Sequence, residues 1–111
     1  MRPYTYMVIV LKQCSREINE FPEPVRDDLA DAVARLEEGQ TLSMPLSRPM
    51  PSIGRGVREL RLKDRSGIYR VIYALVAASG VYLLHAFMKK TQATPQHNIE
   101  VAKKRLREVS R

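Results

Sequence analysis

The chain has 111 residues, 44% of them hydrophobic and 28% charged, a composition typical of a single globular domain, here spanning 1–111. No apolar stretch approaches the roughly 20 residues of a membrane-spanning helix, and the N-terminus lacks a signal-peptide pattern. We therefore expect a cytoplasmic protein without a membrane partner. The lone Cys14 is interpreted as a half-buried small residue at the start of a helix. No cysteine or histidine spacing is typical of a metal site, so we expect no metal or cofactor.

Charge is distributed unevenly along the chain. The formal net charge is +7, but residues 1–54 carry 6 basic and 8 acidic side chains, whereas residues 55–111 carry 13 basic and 4 acidic ones. The C-terminal half therefore carries the positive field. Such a field attracts phosphate backbones and favours a nucleic acid over a membrane surface or an acidic protein, without separating RNA from DNA.

The first half of the chain predicts a strand, helices and a loop, in that order. Residues 4–11 are rich in β-branched and aromatic side chains, which favours a strand. After a short polar segment, apolar residues recur at helical spacing over 24–38, with Pro24 in the first turn and Gly39 placed to end the helix in a left-handed conformation. Residues 40–56 contain three prolines and two glycines and are predicted to lack regular structure.

The second half predicts three antiparallel strands and a last helix. The turn signals DRSG at 64–67 and AASG at 77–80 separate the strand-like runs VRELRLK, IYRVIYALV and VYLLHAF. The middle run is almost wholly apolar, which is typical of a central strand covered on both faces. A final amphipathic helix follows, with Thr94 as its N-cap and Pro95 at its first position. The predicted fold is α+β, a small antiparallel β-sheet of about four strands with N-terminal helices and a C-terminal helix.

Turn lengths determine which side chains share a face of this sheet, because side chains alternate along a strand. If both turns keep an even register, Arg61 and Phe87 each lie opposite Arg70, and Val76 lies opposite Val81. Two arginines directly opposite each other repel, so a fold is expected to tolerate the pair only where an anion binds between them. The side chains gathered by this register, here called the cationic face, are Glu59, Arg61, Lys63, Arg70, His85, Phe87 and Lys89.

A structural interpretation of the same residues stays open at this point. In it, Arg61 and Lys63 are solvated residues of an edge strand. Arg70 pairs with Glu59, and His85 is a core histidine with a satisfied ring. On this interpretation the charges stabilise the sheet and bind no ligand.

The cationic face carries groups that metal-free RNA cleavage needs. No Ser-His-Asp spacing, phosphate-binding glycine loop or paired-carboxylate motif is visible. RNA cleavage requires a base for the 2′-hydroxyl proton, cations for the phosphoryl oxygens and an acid for the leaving 5′-oxygen. Histidine titrates near neutral pH, a lysine among cations has a lowered pKa, and arginine suits phosphate. Phe87 is expected either to stack on a base or to be a core residue.

The second half of the chain also resembles a known family. The segments ELRLKDRSGIYRVIYALV and YLLHAFMKKTQATPQHNIEVAKKRL contain E-L-R, Y-R-V-I-Y and H-A-F-x-K-K-T-x-x-T-P in the order and spacing of HigB-like toxins, often phage-derived members of the RelE/ParE superfamily of type II toxin–antitoxin systems. The resemblance extends over residues 4–109 and is most specific over 57–106. It implies a compact antiparallel sheet flanked by helices, and a ribosome-dependent endonuclease that cuts mRNA in the A site without a metal.

The resemblance also implies site residues. The family's basic cleft falls on Arg61, Lys63 and Arg70, with further basic residues at the end of the last strand. Where RelE-type toxins use a late tyrosine this chain has His85 and Phe87, so a lysine or His85 is the expected general base. The residues expected to carry catalysis are Arg61, Lys63, Arg70, His85 and Lys89, and those expected to add RNA contacts are Arg58, Phe87, Lys90, Lys103 and Lys104.

These expectations lead to one leading function and two alternatives. The leading hypothesis is a ribosome-dependent mRNA endonuclease that inhibits translation, with the ribosome, mRNA and a HigA-like helix-turn-helix antitoxin as partners. The first alternative is a non-nuclease toxin of the same fold that inhibits DNA gyrase, as ParE-type members are thought to do. The second is a non-catalytic RNA- or ribosome-binding module, in which the same basic residues serve without proton transfer.

Overall fold

A computed structural model describes residues 6–76, 80–90 and 93–110 of the chain. These residues form five strands and three helices, which confirms the predicted α+β class. No helix among them is long and apolar enough to cross a membrane. The elements in chain order are β1 (Met7–Val10), α1 (Lys12–Asn19), α2 (Glu23–Glu37), β2 (Ser47–Pro49), β3 (Val57–Asp64), β4 (Gly67–Val76), β5 (Gly80–Lys89) and α3 (Gln96–Val109).

The strands form one sheet in the order β1-β5-β4-β3-β2. β3, β4 and β5 are the predicted antiparallel meander, and β1 is added parallel to β5. The prediction that 40–56 lacks regular structure is wrong, because β2 pairs antiparallel with β3. A proline is tolerated in β2 because β2 is an edge strand, with one side free of ladder hydrogen bonds.

The helices cover opposite faces of the sheet. α1 and α2 pack on one face, where Leu29 and Val71 belong to the same buried apolar cluster. α3 packs on the other face, where Ala102 joins a cluster with Ile72 and Phe87. β4 is buried over most of its length, as predicted for the central strand. The cationic face is therefore the face that α3 partly covers.

The ends of α2 and α3 test the local predictions. Pro24 lies in the first turn of α2, and Gly39 has a φ of 82° just beyond its last turn, so both signals are confirmed. The predicted N-cap of α3 is wrong, because Pro95 occupies the cap position and no side chain caps the helix. Thr94 is buried and its hydroxyl donates to Glu59 at 2.7 Å. A hydrogen bond to a charged carboxylate is stronger than one between neutral groups, so the Thr94 hydroxyl bonds to Glu59 and does not cap α3.

The turn at 64–67 has the predicted register. Asp64 pairs with Gly67 across a two-residue connection, and Arg61 consequently lies opposite Arg70. The ladder between β3 and β4 continues without a shift to the far end of β3. The arginine pair predicted from the sequence is therefore present.

The pairing of β4 with β5 differs from the prediction at one end. Val76 pairs with Gly80 and not with Val81. The AASG turn falls mainly on residues 77–79, which lie outside the described residues. One extra residue in β5, Leu84, forms a bulge that restores the predicted pairing from the next residue onward. The membership of the cationic face is unchanged because the bulge compensates the odd connection.

Candidate functional site: a cationic groove

A groove lies on the cationic face where β2 ends. In the described part of the chain, β2 pairs with β3 only as far as Leu60, and the Arg61 amide still donates to the Leu46 carbonyl, so no strand pairs with the outer edge of β3 beyond that point. The resulting hollow has a volume of about 460 Å³, within the range of small-ligand sites. It continues towards α2 as a second, open hollow of about 390 Å³ that Arg61 and Lys63 also line. The residues that line the first hollow, here called the cationic groove, are Pro45, Leu46, Arg61, Leu62, Lys63, Ile68 and Arg70.

Two arginines from neighbouring strands meet in the groove. Arg61 is partly exposed, and its Nη1 lies 3.9 Å from the sulfur of Met44, a weak acceptor. Arg70 is only 5% exposed, and its Nη1 donates to the Tyr69 carbonyl at 3.1 Å. Burial lowers the pKa of Arg70 from its ordinary value, although a guanidinium stays charged in proteins. The pair is thus one fixed and one more accessible cation facing the same space.

A buried carboxylate adjoins Arg70. Glu59 is fully buried, and its Oε1 lies 3.5 Å from Nε of Arg70 and 3.3 Å from Nη2 of Arg48. Its Oε2 accepts the hydrogen bond from Thr94. The Arg70–Glu59 pair belongs to the structural interpretation of the sequence, and it is present together with the groove. Both interpretations therefore describe part of this site.

Lys89 is a lysine whose pKa the neighbouring residues lower. It lies opposite Ile68, a residue of the groove, and is 9% exposed. Burial lowers its pKa, and the positive charge of Arg70 lowers it further, while Glu59 acts in the opposite direction. Lys63 by contrast is exposed at the rim. The pKa of Lys89 is thus lowered, which is the direction that a general base requires.

His85 lies on the cationic face but does not line the groove. It is 5% exposed, its Nδ1 lies 3.1 Å from both carboxylate oxygens of Glu17, and its Nε2 lies 2.6 Å from Oδ1 of Asn98. The ring also stacks on Phe87 with 5.2 Å between centroids. Both ring nitrogens are engaged, as the structural interpretation holds. The catalytic role of His85 stays a prediction that requires one of these contacts to open.

Glu17 joins three elements around His85. Its Oε1 accepts hydrogen bonds from Arg105 of α3 at 2.9 Å and from the backbone of Ala86 in β5 at 3.0 Å. Arg105 also donates to the carbonyl of Leu84, the bulge residue, at 2.9 Å. Burial raises the pKa of Glu17, but the hydrogen bonds from Arg105 and Ala86 outweigh it and hold that pKa below its ordinary value.

Cys14 is more deeply buried than predicted. It lies in α1 with no exposed surface, so the prediction of half-burial is wrong. Burial and the negative charge of Glu17 raise the pKa of its thiol to about 12. A thiol in this state stays protonated and inert.

The residues predicted to add RNA contacts are dispersed. Phe87 is 9% exposed and belongs to the apolar cluster under α3, which matches its core interpretation. Arg58 points to the opposite face, where its Nε donates to the Ser47 hydroxyl at 2.8 Å. Lys90 is exposed just after β5. Lys103 lies 3.8 Å from Glu100 and, with the exposed Lys104, belongs to α3. None of the five lines the cationic groove, and their RNA contacts stay predictions.

Residues 16–107 match the family described as phage derived protein Gp49-like (DUF891). The chain belongs to this family. No curated protein matches it significantly. Among solved structures, the Gp49-like chain is similar to an arginine-to-alanine double mutant of the E. coli toxin RelE in the free state, with a TM-score of 0.63 and 14% identity over 95% of this chain and 98% of that one. It also matches the toxin–antitoxin complex RelBE2 from Mycobacterium tuberculosis, with a TM-score of 0.47 and 17% identity over 78% of this chain and 94% of that one. The Gp49-like chain thus has the fold of the RelE toxin.

The sequence of this Gp49-like chain did not predict that Arg48 lies near the groove, beside Glu59. Arg48 lies in a proline-rich segment for which no strand was predicted, so no local pattern indicated its contact with Glu59. Glu59 did carry a signal, since it is the single acidic residue of VRELRLK. A lone carboxylate among basic side chains on a core strand indicates a buried partner for them.

Proposed function

We propose that this Gp49-like chain is the HigB-like toxin of a type II toxin–antitoxin system and acts as a metal-free endonuclease on ribosome-bound mRNA. The observation that carries the proposal is the cationic groove, where Arg61, Lys63 and Arg70 face one ligand-sized space beside the buried Lys89. The RelE toxin fold supports it. Such a groove suits a phosphodiester better than an uncharged or cationic substrate.

The proposed reaction uses groove residues, together with Lys89, which does not line the groove but lies opposite Ile68, in distinct roles. Arg61 and Arg70 bind the scissile phosphate, and Lys63 adds positive charge at the rim. Lys89, in its neutral form, accepts the proton of the 2′-hydroxyl. The 2′-oxygen then bonds to phosphorus and the bond to the 5′-oxygen breaks, which leaves a 2′,3′-cyclic phosphate and a 5′-hydroxyl. The proton for the 5′-oxygen comes from Lys63 or from His85, and variants of these two residues separate the possibilities.

Cleavage of translated mRNA tests the proposal directly. Purified protein, ribosomes and a defined mRNA are combined, and primer extension maps the 3′ ends. Wild-type protein is expected to cut in the A site, and Arg70→Ala to lower the rate about 100-fold or more, in line with loss of one preorganised donor to a developing anion. Arg26→Ala is the matched control, because Arg26 is an exposed arginine of α2 that lines neither hollow.

Each contrary outcome points to another function. Intact mRNA, together with growth inhibition that survives Arg70→Ala and His85→Ala, would contradict the endonuclease. Loss of DNA supercoiling with intact mRNA would favour inhibition of gyrase. Ribosome binding without new 3′ ends would favour a non-catalytic binding module.

The proposed partner is a HigA-like helix-turn-helix antitoxin. Toxins of this kind require a neutralising protein, and the solved RelBE2 assembly is a toxin–antitoxin complex. The neighbouring open reading frame should encode a small helix-turn-helix protein whose co-expression abolishes growth inhibition and which co-purifies with this chain. A neighbouring frame that neither binds the chain nor relieves toxicity would contradict the pairing.

A further inference from the structure

Glu59 is a buried carboxylate that takes part in no step of the proposed reaction. Its side chain has no exposed surface, and a carboxylate in such a place is costly unless it is paired and hydrogen-bonded. Its two oxygens have different partners. Oε2 accepts a hydrogen bond from the Thr94 hydroxyl at 2.7 Å, and Oε1 lies near the guanidiniums of Arg48 and Arg70. One carboxylate thus links β3 to β2, to β4 and to the residues that precede α3.

Arg70 lies against this carboxylate. Its Nε is buried and, among the described residues, has no hydrogen-bond partner, although Oε1 of Glu59 lies 3.5 Å away. Arg61 lies directly opposite on β3, and both Arg61 and Arg48 are close enough to lower the pKa of Arg70. The attraction of Glu59 therefore opposes repulsion from two neighbouring cations.

We infer that Glu59 is a positioning residue, which holds the Arg70 guanidinium towards the groove against repulsion from Arg61 and Arg48. Loss of its charge leaves the groove more positive but lets Arg70 move. Anion binding and catalysis should then respond in opposite directions, which a purely structural role does not predict. The link to catalysis rests on the proposed function, whereas the placement of Arg70 does not.

The test is Glu59→Gln, which keeps the shape and the acceptor for Thr94 but removes the charge. Three quantities are compared with wild type: the Nε–Hε NMR signal of Arg70, the Kd of inorganic phosphate, and the mRNA cleavage rate at saturating toxin. We expect the Arg70 signal to shift or broaden, phosphate to bind equally or more tightly, and the cleavage rate to fall at least tenfold. Glu37→Gln, which removes an exposed carboxylate from α2, should change none of the three.

A milder variant keeps the test decisive if Glu59→Gln does not fold. Thr94→Val removes one hydrogen bond to Glu59 and should lower the cleavage rate several-fold, shift the Arg70 signal and leave the phosphate Kd unchanged. A folded variant with an unmoved Arg70 signal, or with a rate within twofold of wild type, would overturn the inference. A parallel fall in rate and phosphate affinity would overturn it too, since that pattern marks a structural role. If wild type cuts no mRNA, the proposed function fails, and the Arg70 signal with the phosphate Kd still decides the placement.

Discussion

Arg61 and Arg70 are cross-strand neighbours with different surroundings. Arg70 is buried and held beside Glu59, whereas Arg61 is partly exposed and contacts only the weak acceptor Met44 among its described hydrogen-bond partners. A ligand phosphate therefore displaces little when it binds Arg61, and it meets Arg70 already in place. Preorganised donors of this kind cost no reorganisation during the reaction.

The lowered pKa of Lys89 leads to a prediction about pH. As the proposed base, Lys89 acts when neutral, so the cleavage rate should rise with pH until the pKa of Lys89 is passed. Arg61 contributes to lowering that pKa, after burial, Arg70 and Arg48. Arg61→Gln should therefore raise the pKa and move the rising limb of the rate profile to higher pH. The measurement is the saturated cleavage rate across neutral and alkaline pH.

Two variants control this experiment. Arg26→Gln removes an exposed arginine of α2 and should leave the pH dependence of the rate as it is in wild type. Lys89→Met should abolish the limb together with most of the activity. If the cleavage rate of Lys89→Met still rose with pH, the rise would come from another group, and His85 would be the next residue to replace.

At the scale of elements, Glu17 stabilises the junction of α1, β5 and α3. Glu17→Gln removes a charge-assisted bond from Arg105 and weakens the bond from Ala86. Because the Glu17 side chain is 26% exposed, we expect a modest loss of about 1–3 kcal/mol in the free energy of unfolding at neutral pH. Urea unfolding measures this, with Glu37→Gln as the exposed control.

The pKa of Glu17 gives the acid dependence of the same junction. Its pKa is lower in the folded chain than the ordinary 4.5, so the unfolded chain binds the proton more readily. The stabilisation is then complete above pH 4.5 and is lost as pH falls through the folded value. Wild type should lose stability in that acid range more steeply than Glu17→Gln. Equal acid dependence in the two proteins would contradict the assignment.

For the whole molecule, the concentration of positive charge in residues 55–111 predicts strongly salt-dependent RNA binding. Each phosphate contact releases counterions, and one contact contributes about 0.7 to the slope of log K against log salt for a single strand. Arg61→Gln should lower the magnitude of that slope by about this amount. Arg26→Gln, which removes an exposed arginine of α2, should leave the slope unchanged. Filter binding of single-stranded RNA over a range of KCl concentrations measures both.

Local signals explain which parts of the molecule the sequence predicted. Asp64 and Gly67 specify a two-residue turn, so the Arg61–Arg70 pair follows from nearby residues. The contact of Glu17 with His85 joins residues far apart in the chain and follows from the packing of α1 beside β5, for which no local pattern exists. The parallel addition of β1 to β5 and the short β2 were missed for the same reason, because both depend on tertiary pairing.

The bulge at Leu84 allows β5 to differ in length by one residue without moving Lys89. Before it, Val81 and Leu83 face α1 and α2, and after it Phe87, also at an odd position, faces α3. Deletion of the single residue Leu84 would remove the bulge and restore plain alternation, which leaves Lys89 opposite Ile68 and on the same side of the strand. Members of the family that share this site should therefore accept a β5 with or without the bulge residue but keep the same number of positions between His85 and Lys89.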